Sequence, residues 1–163
     1  MINTAYTALA LAVNSYIPIS SNDHFCKSIA DFSLKKALQE QGNNSLQSFC
    51  VDKALSFLYD EKNLKLAATW LQTGKILVDG TELQTPLTPE HKYSIIKTIV
   101  SSNYFSDEEK SALTAKAFEN DTSDKGIKTQ KICEYSIPNA TLKAELWGDL
   151  TDIESKDSTL VLQ

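Results

Sequence analysis

The sequence predicts an all-α fold of about eight antiparallel helices in an order that suits a helical-repeat solenoid. Three observations carry this expectation. Apolar residues recur at helical spacing nearly everywhere, and no strand pattern competes with them. Five glycines and four prolines are few for 163 residues, which suits long helices better than a turn-rich β architecture. Helix follows helix across short breaks, as in solenoids, although no strict repeat period is present.

The predicted helices cover 1–17, 23–41, 45–60, 62–73, 89–103, 107–119, 123–136 and 138–151. The first is apolar enough to resemble a signal peptide, yet it has no basic leading segment, its polar residues recur, and it is short for a membrane span. It reads as an amphipathic helix. Gly42 ends the second helix and Asn43-Asn44-Ser45 caps the third. Val51, Ala54, Leu55 and Leu58 make one apolar stripe, and Leu64, Ala67, Ala68 and Leu71 make another on the next helix, so these two helices are expected to pack antiparallel. Residues 74–88 form the one substantial loop, with the turn signal Asp79-Gly80 and with Pro86. Thr88-Pro89-Glu90 then supplies a cap, a first-turn proline and an early carboxylate, and Ile95, Ile96, Ile99 and Val100 form the buried stripe that follows.

Ser106-Asp107-Glu108-Glu109 has the spacing of a capping box. Asp121-Thr122-Ser123-Asp124 offers several acceptors for the next helix start, and Pro138 suits the first turn of the last helix. On that helix Leu142, Leu146, Trp147 and Leu150 fall at helical spacing, so one face needs a neighbour. Trp70 and Trp147 both sit in apolar stripes and are expected in the core.

The net charge is -5, with both signs mixed along the chain, which argues against nucleic acid as a partner. All sixteen cations are lysines, so the planar bidentate fork of arginine is missing. Cys26, Cys50 and Cys133 are an odd, widely spaced set and read as buried thiols. His24 and His91 are the only histidines and lie far apart, and His24 reads as a surface residue beside buried Cys26. No HExxH, CxxC, phosphate loop or GxSxG occurs. The acidic runs at 107–109 and 121–124 are explained by helix starts. Asn43, Asn120 and Asn139 head Asn-x-Ser/Thr triplets, which say nothing about compartment. No catalytic, metal or cofactor set is read in this chain.

Asn63 to Gly74, Leu87 to Val100, and above all Asp121 to Gly126 followed by Ile137 to Trp147 resemble the C-terminal helical domain of aminopeptidase N-type zinc aminopeptidases. The ordered markers are Asp121, Thr122, Gly126, Pro138, Lys143 and Trp147, and the likeness spans roughly residues 60 to 152. The resemblance implies that the helices stack as a HEAT/armadillo-like right-handed solenoid or bowl, and residues 1–163 as a single helical domain from the C-terminal part of a larger enzyme. It implies zinc in the parent rather than in this chain, because GxMEN and HExxH belong to another domain. The implied partners are the catalytic domain of the same polypeptide and the peptide substrate, with no nucleic acid and no membrane span. Where the family commonly carries arginine and an aromatic, this chain has Lys92-Tyr93, the pair the resemblance would place near substrate. The same residues also fit a free-standing helical module that binds a protein or peptide.

Overall fold

The protein is described here by a computed structural model covering residues 2–151, without the side chains at positions 2, 14, 19–22, 142, 146, 149 and 150. Over those residues it is all-α apart from one small hairpin. The elements are α1 (Ile2–Tyr16), α2 (Ile19–Gln39), α3 (Asn44–Leu55), α4 (Glu61–Thr73), β1 (Leu77–Val78), β2 (Thr81–Glu82), α5 (Pro89–Ser101), α6 (Asp107–Ala117), α7 (Asp124–Ser136) and α8 (Ala140–Thr151). Each expected helix is present, and the larger boundary shifts have local causes. The chain forms two compact units, Met1–Ile95 and Ile96–Gln163, with the boundary inside α5.

In the first unit the most extensive pairing is α2 with α3. Gly42 makes the reversal possible at φ 88°, and Asn43 Oδ1 accepts from Leu46 N–H to start α3. The expected pairing of α3 with α4 is therefore not the main one, because the short turn at Gly42 lays α3 along α2. Helix α3 also stops at Leu55 rather than residue 60. Asp60 serves as the N-cap of α4, accepting from Asn63 N–H at 3.2 Å, and the intervening residues turn the chain. Tyr6, Val13, Cys26, Ala30 and Phe57 form a buried cluster to which Ala10, Ile17, Ile29 and Phe49 add. Tyr6 Oη and Ser33 Oγ share a hydrogen bond of 2.8 Å, which lets both hydroxyls be buried.

Buried Gln47 fastens three segments. Its Nε2 donates to Ala37 O of α2 at 3.1 Å, and its Oε1 accepts from Gln84 and Thr85 N–H at 3.2 and 3.3 Å. Both ends of the amide are thereby used, and the segment after the hairpin is fixed to the α2–α3 pair.

The expected loop at 74–88 contains the hairpin. Gly74 closes α4 in the left-handed region, and Val78 pairs with Thr81 across a two-residue turn. Asp79 (φ 48°) and Gly80 (φ 78°) both lie at positive φ, as a type I′ turn requires, so the Asp-Gly signal marks a hairpin rather than an irregular loop. Trp70 is fully buried, as expected, and its indole N–H donates to Leu77 O at 2.8 Å, tying the hairpin to α4.

In the second unit, Ile96, Ile99, Val100, Leu113, Ala117, Phe118 and Cys133 are buried. Ser106 and Glu109 form the expected capping box, with bonds of 3.2 and 2.8 Å. Helix α8 packs on α7. Its start departs from expectation: Asn139 Oδ1 accepts from Thr141 N–H at 2.9 Å, so Asn139 holds the cap and Pro138 lies just outside the helix instead of in its first turn. Trp147 also departs, since 70% of it is exposed on a face of α8 that no described residue covers. The side chains of its expected stripe partners Leu142, Leu146 and Leu150 lie outside the described residues.

Candidate functional site

The motif at 121–126 builds a helix start. Ser123 Oγ accepts from Gly126 N–H at 3.0 Å and donates to Asp121 Oδ1 at 2.7 Å, while Ser123 N–H donates to the same oxygen at 3.0 Å. Asp121 thus orients the hydroxyl that caps α7. Gly126 is needed for space: a Cβ added there would lie 2.5 Å from Asp121 Cγ and 2.6 Å from both carboxylate oxygens. Thr122 is exposed. The ammonium of Lys143 donates to Tyr135 O near the end of α7, a favourable place for a cation because the last carbonyls of a helix lack partners. Asp121, Gly126 and Lys143 therefore all serve α7, whereas Pro138 and Trp147 are exposed.

Lys92 and Tyr93 occupy the second turn of α5. Tyr93 is buried, and Lys92 is half-buried. The phenol belongs to the packed interior, so of the pair only Lys92 is in part open to solvent.

His91 carries a role that was not read from the sequence. Thr88 Oγ1 accepts from His91 N–H at 3.2 Å, while His91 Nδ1 accepts from Thr88 N–H at 3.2 Å. This is the reciprocal arrangement of a capping box with imidazole replacing the carboxylate. Because Nδ1 accepts, Nε2 carries the proton and donates to Asp52 Oδ1 at 2.9 Å. The signal available in the sequence was a threonine three residues before a histidine at a helix start. His24 is exposed and Cys26 buried, as expected.

A further polar node joins α2 to α4. Buried Asn63 donates through Nδ2 to Asp31 Oδ1 at 2.9 Å and to Asp60 Oδ2 at 2.8 Å, and Lys27 Nζ lies 3.2 Å from Asp31 Oδ2. Burial works to raise the Asp31 carboxyl, but the hydrogen bonds from Asn63 and Lys27 outweigh it and hold the group below its ordinary value. All three cysteines are buried free thiols. Burial pushes Cys133 up to about 11 and raises Cys26 and Cys50 as well, which keeps them from acting as thiolate nucleophiles near neutral pH.

Among the described residues, no three His, Cys, Asp or Glu side chains converge as a metal-binding set, and both nitrogens of His91 are committed. No described helix is long and apolar enough to cross a membrane. An apolar groove of about 520 Å³ lies between α1 and α2, lined by Leu9 and Val13 on one side and Phe25, Ile29 and Phe32 on the other. Among the described residues, no charged side chain lines it. What these features can do chemically is pack, cap and bind.

No family model matches the chain, and neither a curated protein nor a solved structure matches it.

Proposed function

We propose that this chain is the non-catalytic C-terminal helical domain of an aminopeptidase N-type zinc aminopeptidase. The single observation behind the reading is that the ordered markers resembling that family include three, Asp121, Gly126 and Lys143, that jointly fix both ends of α7. A spacing maintained by such contacts has a physical reason to persist within a family. In this reading the helices belong to a HEAT/armadillo-like bowl that covers the parent's active-site chamber and limits peptide access. Zinc, the catalytic glutamate and peptide hydrolysis belong to the parent's other domain, and Lys92 attracts the peptide as a point charge. Reading the gene in frame upstream of the Met1 codon tests it. A continuous frame encoding GxMEN and HExxH is the expected result, and an in-frame stop before either motif overturns the proposal.

The apolar groove between α1 and α2 favours a second reading, a free-standing helical module that binds a protein or peptide. That reading requires saturable binding by the isolated chain in a titration against peptides of varied sequence.

A further inference from the structure

A second concavity, of about 390 Å³, opens between α2, α4 and the tip of the β1–β2 hairpin. Its volume lies within the range of small-ligand sites. The apolar part of its wall is Leu34 and Val78, both buried, with half-buried Leu66. Its charges are unevenly committed. Asp31 is held by Lys27 and Asn63, as described above, and is not available to a ligand. Lys35 comes from α2 and Lys62 from α4. Both are exposed, and neither makes a hydrogen bond or ion pair with another described residue, although Lys62 exerts a through-space pull on Asp31. Asp79, at the hairpin tip, is the one uncommitted carboxylate on the lining. The lining thus carries two ammoniums and two carboxylates, but Asp31 has one oxygen on Asn63 and the other on Lys27, itself 3.7 Å from Asp60, so only Asp79 is an uncommitted carboxylate there.

We propose that this cleft binds a small carboxylic acid with an aromatic or branched aliphatic body. The carboxylate sits between the Lys35 and Lys62 ammoniums, and the body lies on Leu34, Leu66 and Val78. A cation is disfavoured because both Asp31 oxygens are already engaged and the two ammoniums repel it, and a wholly polar anion such as phosphate leaves the apolar wall unused. The hairpin assists, because Gly80 carries no side chain and a Cβ built there meets nothing within 4 Å, so the backbone at the rim stays open to a ligand.

The test is a titration of the full chain with 3-phenylpropionate, followed by the backbone amide shifts of Leu34, Leu66, Val78 and Gly80. Saturable shifts at these positions at millimolar ligand are the expected result. Lys35→Ala and Lys62→Ala should each weaken binding roughly fivefold, the scale of an exposed ion pair. Both positions are surface sites, and unchanged circular dichroism of each variant verifies that folding is intact. Equal affinity for the neutral 3-phenylpropanamide overturns the carboxylate assignment. Inorganic phosphate binding as tightly as the acid overturns the role of the apolar wall. Shifts confined to Phe25 and Phe32 of the α1–α2 groove, or no saturable shift at all, overturn the site.

Discussion

Replacing Gln47 with leucine tests whether one buried amide holds α2, α3 and the post-hairpin segment together. The wild-type side chain satisfies Ala37 O, Gln84 N–H and Thr85 N–H. Gln84 is exposed, so water replaces its partner, but Ala37 and Thr85 are buried and their backbone groups become orphans. Two orphans at about 1 to 3 kcal/mol each cost roughly 2 to 6 kcal/mol. The apolar leucine recovers about 1 to 2 kcal/mol of transfer free energy. Taking the middle of each range, the net loss is about 2.5 kcal/mol, which for a mid-range urea slope of about 2 kcal/mol/M lowers the unfolding midpoint by roughly 1 M. Far-ultraviolet circular dichroism during urea titration measures it. The Gln47→Glu variant adds a sign. It keeps the acceptor but turns the donor into a second carboxylate oxygen facing Ala37 O, and burial raises the folded pKa of such a group above its unfolded value. A raised carboxyl costs stability at high pH, so the defect relative to wild type should shrink as pH falls through the raised value, when the acid can again donate. A Gln47→Leu midpoint indistinguishable from wild type, or a Gln47→Glu defect that grows on acidification, would refute the clamp.

Gly126→Ala should destabilise the protein by about 1 to 3 kcal/mol, because the new methyl collides with the Asp121 carboxyl and Ser123 pins that carboxyl in place. In the double variant with Asp121→Ala the collision is gone, and denaturation midpoints should show a combined cost smaller than the sum of the two single costs. The native protein should yield almost no reactive thiol to a disulfide reagent at pH 8 and three after unfolding in urea, since burial raises all three thiols and puts Cys133 at about 11; one fast-reacting native thiol would contradict this. Asp31 is lowered from its ordinary 3.8, so its contribution is present above that pH and is lost as pH falls through the folded value. The stability gap between wild type and Asp31→Asn should therefore stay level from neutral pH down to the ordinary carboxylate range and close only below it. A gap that closes instead on raising pH from neutral would contradict the assignment.

What was legible in the sequence is what neighbouring residues decide. The capping box at Ser106, the cap at Asn43 and the Thr88-Pro89 start each involve groups within four residues of one another, and their chemistry admits few alternatives. Asp79-Gly80 was legible as a turn but not as a hairpin, because strands of two residues have no alternation to detect. The burial expected of Trp147 failed for a related reason. Periodicity can show that Trp147 lies on an apolar stripe but not whether anything covers that stripe. The α2–α3 pairing, the Asp31–Asn63 bond and the Asp52–His91 bond depend on residues that meet only in three dimensions. Of these, only the Thr88–His91 half of the last had a local signal.

The way the polar groups are used bears directly on function. Asp121 and Ser123 close the start of α7, Thr88 and His91 close the start of α5 with Asp52 holding the imidazole, and Asn63 draws Asp31 and Asp60 together between α2 and α4. Each of these sets pairs an acid, a hydroxyl or an imidazole in the manner a catalytic site would, yet each spends its hydrogen bonds on backbone groups or on one another. Catalysis needs a group that is held in place and still has a proton or lone pair to offer a substrate. Here the polar groups held in place are committed to the fold. Concave surface is found in the apolar α1–α2 groove and in the cleft carrying Lys35 and Lys62. The held groups give the helix ends and helix pairs their rigidity, and the two concavities lie between helices fixed in this way.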